Sequence, residues 1–405
     1  MIGCTQFLVL LLWIGGTYVK GVPHPGCVLY TNKDLPKKNE PLFLAKHEGK
    51  EYRLVMPETK GKEGFIHLKS GQELVMTCPG GRNYMNETKK EINHAHCKSG
   101  RLLKIQNRDY ESEVLDCFGR VSAVVRKTEN KCHKGQGTVL ELGFKAEGWH
   151  PLVKVCHDIR GARTFYSHHT LYGSVLPGKV HRSTGRPGFS RGEKFLYEGY
   201  SPDRAYNRKN QLKVFHSVIG EKKTSHYIDE KNKFLSRGHL APDADFLFST
   251  WQLLTYFFIN VAPQWQSINA GNWLNVETNT RRIASKLGAD LEVITGTNGV
   301  SKMKDSEGNL KEIYLHANSK IPVPEYYWKL LHNPKDDSCM GFITTNNPYL
   351  DESPNHKCKD VCSNYGWPVM QKDLFKGYVY CCEYSTMKKA IPELPDVTCK
   401  KPLSF

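Results

Sequence analysis

Apolar and polar residues follow two different periods along this chain. From Cys27 to about His157 the text is strand-like: EYRLVMP, GFIHLKSGQELVMTC, RLLKIQ, FGRVSAVVRKT and GTVLELGFKAE are short runs rich in Val, Leu and Ile, interrupted by Gly and Asn. RTFYSHHTLYGSVL alternates and predicts a strand followed by a turn. ADLEVITGT predicts a buried strand, and KEIYLHANSKIPVPEYYWKLLHN predicts a strand, a proline-bounded bend and another strand. The second period lies between these. Trp273, Val276, Ile283 and Leu287 recur at helical spacing and predict a helix opening at Asn269 and running to Leu287. Two stretches carry neither period. HRSTGRPGFSRGEKFLYEGY reads as a basic, glycine-containing loop, and YSPDRAYNRKNQLKVFHSVIGEKK as polar surface. Strands with a helix among them make the expected class α+β.

Length and cysteine usage refine the picture. A chain of 405 residues suggests two domains. Residues 1–21 contain the apolar core FLVLLLWIGG and the small residues Val19 and Gly21, the mark of a cleaved signal peptide. That run is too short to span a bilayer, and no later segment reaches about eighteen apolar residues, so a soluble, secreted, extracellular product is expected. Of thirteen cysteines, Cys4 falls in the signal segment. The rest form one group from Cys27 to Cys156 and another from Cys339 to Cys399, which predicts disulfides within each group. A zinc site is the alternative for Cys358, Cys362, Cys381 and Cys382. The expected layout is a signal peptide (1–21), a disulfide-rich, mostly β module (22–157) and a second domain (158–405). In the module, His94 and His96 read as exposed loop histidines, and Asn86-Glu87-Thr88 is a glycosylation sequon.

The formal net charge of +16 points to a polyanion, because Lys and Arg displace counterions condensed on phosphate. Charge alone would equally suit heparin, an anionic membrane or solubility. No amphipathic basic helix supports a membrane role. Trp265, Trp273 and Tyr256 are candidates for stacking on bases or for core packing.

Candidate chemistry concentrates between Phe234 and Arg282. Gly238 permits a close backbone approach, so His239 sits at a tight spot where a strand meets a loop. Near neutral pH a histidine can take a proton. Arg237 is a permanent cation suited to phosphate. Asn269 offers an amide oxygen, a hard ligand that magnesium accepts. On one continuous helix Glu277 would lie roughly 12 Å further along the axis, leaning back toward the same site. One histidine, one amide ligand and one or two arginines suit metal-assisted hydrolysis of a phosphodiester.

The segments RGH-L-A-P, N-x-x-P-Q and N-x-x-x-W-x-x-x-E resemble those of the secreted DNA/RNA non-specific endonucleases, the "DRGH" enzymes with a ββα-metal core. The resemblance covers roughly residues 160 to 400, where CMGFITTNNPY resembles a further core strand. It implies His239 as general base and Asn269 as direct Mg2+ ligand, one ion per site, with Mn2+ as a substitute. It also implies Glu277 as the residue that orients metal-bound water, with Arg237 and Asn260 as supporting residues. A second phosphate-binding arginine is expected upstream, at Arg186 or Arg191; Arg186 is preferred because Pro187 fixes its position. DNA and RNA, double-stranded included, are the implied substrates, and 5′-phosphate ends the implied products. Ser236 stands where the name-giving Asp stands. The arthropod secreted members, salivary endonucleases and gut double-stranded ribonucleases among them, have an extra N-terminal region with disulfides and often lack that Asp. Two alternatives stand beside the enzyme. One is a secreted nucleic-acid-binding protein with residual or no nuclease activity. The other is a heparin-binding modulator of haemostasis acting through the N-terminal module.

Overall fold

The computed structural model describes residues 26–405 apart from 230, 351–355 and 369; the expected signal peptide lies outside the described residues. One large antiparallel sheet organises the molecule. Its strands lie in the order Val124–Cys132, Gly137–Lys145, Trp149–Asp158, Arg163–Tyr172, Asp290–Asn298, Tyr326–Asn333, Ser338–Thr345 and Val379–Cys382. Lys401–Pro402 adds a short parallel edge beside Ser338–Thr345. Arg163–Tyr172 pairs directly with Asp290–Asn298, from Tyr166 opposite Gly296 to Tyr172 opposite Asp290. Residues 173–289 are therefore an excursion between neighbouring strands, and they carry the predicted chemistry.

Both faces of the sheet are covered, so its central strands are apolar on both sides. The period of two puts Tyr327, Lys329 and Leu331 on one face and Trp328 and Leu330 on the other. The first face receives the helix Asn272–Leu287, whose Trp273 meets Tyr327 edge-on with ring centroids 5.7 Å apart. The second packs Trp328, Leu330, Ile343 and Tyr380 against Met387 of the helix Tyr384–Ala390. Trp265 and Trp273 are wholly buried and serve the core.

The boundary expected at residue 157 falls inside this sheet. Asp158 pairs with Arg163 and Lys154 with His168, and the strand before them pairs in turn with Gly137–Lys145. Cys132–Cys156 ties together strands of the large sheet itself. Ahead of Val124 the module is all-β, as its pattern indicated. A six-stranded sheet spans Leu42–His47 to Arg108–Glu111, and a three-stranded sheet contains Cys27–Tyr30 and Glu63–Leu68. Among the described residues six disulfides form, all within the two expected groups: Cys27–Cys97, Cys78–Cys117, Cys132–Cys156, Cys339–Cys399, Cys358–Cys382 and Cys362–Cys381. Pairing of the last four cysteines removes the thiolates a zinc site needs and overturns that alternative. His94 and His96 lie exposed on the strand Ile92–Ser99 rather than on a loop, and His94 meets Glu73 at 3.1 Å.

Two helical readings change. The stretch read as polar surface folds into the helices Arg208–Ile219 and Glu221–Tyr227. Asn207 caps the first by accepting from the Lys209 amide, and Gln211, Phe215 and Ile219 form its buried face at four-residue spacing. The helix expected to open at Asn269 opens instead at Asn272. Asn269 ends a separate turn, Gln266–Asn269, and Gly271 breaks the path with φ −98° and ψ −126°. The cause is the Lys376 carbonyl, which accepts from the Asn272 amide at 2.8 Å and would stand 2.6 Å from a Cβ on Gly271.

His157 links the sheet to the turn below the predicted site. Its Nδ1 lies 2.9 Å from the Thr164 hydroxyl, which donates to the Ile259 carbonyl at 2.8 Å. Burial pushes the His157 imidazole down to about 3. Above about 6.5 the side chain is neutral whether the chain is folded or not, and the full stability is present. As pH falls from there toward 3, only the unfolded chain takes up the proton, and stability drains by up to about 1.4 kcal/mol per pH unit. Urea denaturation at pH 6.5 and 4.5 should show His157→Gln losing about 2 kcal/mol less than wild type over that interval.

Candidate active site

The site starts from a two-stranded hairpin. Leu235–His239 pairs antiparallel with Val261–Trp265, with Gly238 opposite Ala262 and His239 opposite Val261. Gly238 is required by close approach: a Cβ there would lie 2.5 Å from Gln264 Oε1 and 2.9 Å from the Tyr327 hydroxyl. That hydroxyl donates to the Ala262 carbonyl at 2.7 Å and pins the hairpin to the sheet. Ser236 Oγ donates to the Gln264 carbonyl at 2.8 Å and joins the two strands. Asn260 lies wholly buried under the following loop. Its amide oxygen accepts from the Ala241 N–H, and its nitrogen donates to the Ala241 and Thr255 carbonyls. Asn260 therefore shapes the turn after His239 and does not face the groove.

His239, Arg237, Arg186 and Asn269 line one open groove of about 630 Å³, together with Arg208 and Lys209 at the start of the helix that was read as surface. His239 packs between Phe189 and Tyr256, with ring centroids 5.3 and 5.0 Å away. Its Nε2 is buried and has no hydrogen-bond partner among the described residues. Burial pushes the imidazole down to about 4; Asp243 opposes the shift, and Arg186 and Arg182 add to it. At neutral pH the ring is an uncharged base. The Arg237 guanidinium is caged by the rings of Phe189, Tyr206 and Phe258 at 5.3 to 5.4 Å, with Asp203 at 3.9 Å and a buried Nε lacking a partner. Arg186 and Asn269 have no hydrogen-bond or ion-pair partner among the described residues. Arg191 is engaged elsewhere, donating to Ser201 at 2.7 Å and facing Asp203 at 3.5 Å.

Glu277 is half-buried and does not line the groove; the charges that act on it include Asp243, which also acts on His239. Burial raises its carboxyl to about 7; the charges of Lys329 and Arg281 pull it back, and those of Asp245 and Asp243 reinforce the rise. Arg281, one turn on, pairs with Asp245 at 2.9 Å.

The residues that sequence reasoning missed are those that hold this site. Arg182 Nη2 donates to Asp243 at 3.2 Å and to Tyr256 at 3.4 Å, and the Tyr256 hydroxyl donates to Asp243 at 2.7 Å. Arg182 Nη1 is buried without a partner among the described residues. Burial would raise the Asp243 carboxyl, but Tyr256 and the charges of His239, Arg182 and Arg186 outweigh it, and the net shift is downward. Asp245 joins Arg281 to His169, whose Nε2 is 3.0 Å away. Buried Lys329 donates to Thr295 at 2.5 Å and lies over Trp273. Its signal was legible: a lysine inside YYWKLL, where a central strand should be apolar.

An uncharged imidazole beside guanidinium groups and an amide oxygen with no hydrogen-bond partner among the described residues is equipment suited to hydrolysing phosphate esters, the chemistry of nucleases. Sequence comparison narrows the class: residues 136–387 match the pattern of the DNA/RNA non-specific endonucleases, and the chain belongs to that family. It is 30% identical over 393 residues to a salivary endonuclease of Lutzomyia longipalpis, covering 95% of this chain and 88% of that protein. It is 26% identical to salivary protein Tsal2A of Glossina morsitans morsitans, over 91% of this chain and 92% of the relative. A solved EndoG/EndoGI complex aligns at 14% identity with a TM-score of 0.38, covering 62% of this chain and 87% of that one. The protein is a nuclease, with nucleic acid as its substrate.

Gly238→Ala should separate placement of the base from binding. The added methyl must displace Gln264 or the hairpin, and His239 moves with it. Steady-state kinetics should show kcat down about a hundredfold with KM changed far less.

Proposed function

We propose that this protein is a secreted, magnesium-dependent endonuclease that hydrolyses DNA and RNA, double-stranded included, without sequence preference. One observation carries the reading. The buried His239 Nε2 lacks an internal partner in the same groove as unpaired Arg186 and Asn269, whereas buried polar groups are ordinarily satisfied. A phosphodiester with its attacking water supplies what these groups lack. His239 takes a proton from water at its free ring nitrogen. Arg237, held by its aromatic cage, and Arg186 stabilise the negative charge that builds on phosphorus-bound oxygens. The groove's cations bind phosphate wherever it occurs along the strand, which gives affinity without base preference.

The donor set fits a hard divalent cation. Asn269 offers an unengaged amide oxygen at the groove, and Glu277 offers a carboxylate; Mg2+ takes few protein oxygens and keeps waters, and Mn2+ accepts similar donors. When bound, such an ion neutralises charge on the phosphate and on the departing 3′ oxygen, which leaves 5′-phosphate ends. Asn269 holds it directly in this reading, with Glu277 acting through water. Secretion follows the signal peptide read at 1–21, the six disulfides and the salivary relatives. No helix among the described residues is long and apolar enough to cross a membrane.

Purified protein should cut plasmid DNA and double-stranded RNA with magnesium and stop in EDTA. His239→Ala should lower kcat about 10²- to 10⁴-fold and still retard DNA on a gel. Wild-type cleavage by that variant would remove His239 from the mechanism. The neutral ring is the active form of His239 and the charged form that of Glu277, whose carboxyl burial raises to about 7, so cleavage should decline as pH drops below about 7 and fail as it drops through about 4. Retarded but uncut nucleic acid would instead support the binding protein, with Ser236→Asp as the first reversion to make.

A further inference from the structure

We propose that the N-terminal β module is a working part of the nuclease: it clamps residues 178–183 and so positions the arginines of the groove. The inference rests on the nuclease reading of that groove. Side chains from one turn of the module hold the backbone of this segment. Thr31 Oγ1 donates to the carbonyls of Gly64 at 3.1 Å and Gly178 at 2.8 Å. Asn32 grips both sides of Val180: its nitrogen donates to the Lys179 carbonyl at 3.0 Å, and its oxygen accepts from the His181 N–H at 2.7 Å. Ser183 Oγ returns a bond to the Lys37 carbonyl at 2.8 Å. Gly64 and Gly178 meet backbone to backbone, so close that a Cβ on Gly64 would stand 2.1 Å from the Gly178 oxygen.

What is clamped is the root of the site. Arg182 lies between His181 and Ser183, both anchored by the module, and it is the residue that meets Asp243 and Tyr256 beside His239. Arg186 follows four residues later. A second connection reaches the same place. Glu40 Oε1 accepts from the backbone N–H and the hydroxyl of Thr250, at 3.2 and 3.4 Å, in the helix Ser249–Leu254 that leads to Tyr256. Phe43 packs on Phe248 just ahead of that helix, with centroids 5.6 Å apart. Two routes from the module therefore end on Arg182, Asp243 and Tyr256. A module that only added mass, or that waited to be removed as a propeptide, would not need bonds to the backbone on either side of a site arginine.

The test uses the full chain and DNA cleavage with magnesium. Asn32→Ala should lower kcat about tenfold, change KM less than about threefold and leave the melting temperature near wild type. Thr31→Ser should cut like wild type, and Thr31→Val should not. Ser183→Ala, which loosens the clamp from an exposed position, keeps the test open should Asn32→Ala fold poorly; it should lose kcat in the same manner. Arg182→Ala should be slow, and Asn32→Ala/Arg182→Ala should be no slower, since both changes act through one guanidinium. Wild-type kcat in folded Asn32→Ala and Ser183→Ala, or a double variant slowed by the product of the single effects, overturns the inference while His239→Ala remains inactive. Wild-type rates in His239→Ala would overturn the groove reading itself, and this inference with it.

Discussion

The structure turns on one buried carboxylate. Asp245 accepts from Arg281 on the helix Asn272–Leu287 and from His169 in the large sheet, and it sits in the turn that follows His239. Burial alone would raise this carboxyl, but the His169 hydrogen bond and the Arg281 charge hold it well below the ordinary range. Burial keeps His169 depressed, so the cluster is a carboxylate, a guanidinium and a neutral imidazole that donates one hydrogen. Loss of one partner from such a cluster typically costs about 3–5 kcal/mol, because the other charge is left buried and unpaired. Here the loss would also be geometric. Glu277 stands one turn before Arg281, so the same clamp that docks the helix orients its carboxylate.

Above this clamp a cationic groove holds an imidazole that stays uncharged. Arg186 and Arg182 help to depress the imidazole. Asp243 moderates them. Its carboxylate takes one amino group of Arg182 and the Tyr256 hydroxyl, and it favours the charged form of His239 against the arginines. Burial is the larger influence, so the ring stays neutral. The rings of Phe189 and Tyr256 that bury the imidazole thus act on its chemistry as much as on its position.

The contiguous part of the site was legible in the sequence because local chemistry dictates it. Gly238 and His239 stand where a strand must end in a tight hairpin, and Asn269 was found at the groove although the turn that carries it is not the helix expected to follow. Arg182 and Asp243 were not legible in the same way. Their significance comes from partners in distant segments that the sheet brings together, and an arginine in a basic loop looks like any solvated cation until its carboxylate is seen. The helix Arg208–Ile219 was missed for a different reason. Its Asn207 cap and its Gln211, Phe215, Ile219 face were present, but Gln211 on the buried stripe hid the period; its amide bonds the Tyr206 and Leu235 carbonyls and makes it a core residue. The boundary at 157 falls inside the large sheet because strand-like text continues on both sides of it, and a strand pattern does not say which strands share a sheet.

Ser236 shows why the absence of the name-giving Asp need not remove the chemistry. Its side chain points along the hairpin, not into a metal, and its hydroxyl donates to the Gln264 carbonyl on the partner strand. The Tyr327 hydroxyl fastens the same partner strand at Ala262, and the Gly238 contact leaves no room for the two strands to slide. With the hairpin held at the Ser236–Gln264 pair and again at the Gly238–Ala262 pair, the direction in which His239 leaves the strand is set by packing rather than by a charge at position 236. A carboxylate there would add negative charge near Arg237, whose guanidinium already faces Asp203 at 3.9 Å. Serine keeps the strand-to-strand bond and leaves the arginine to its aromatic cage.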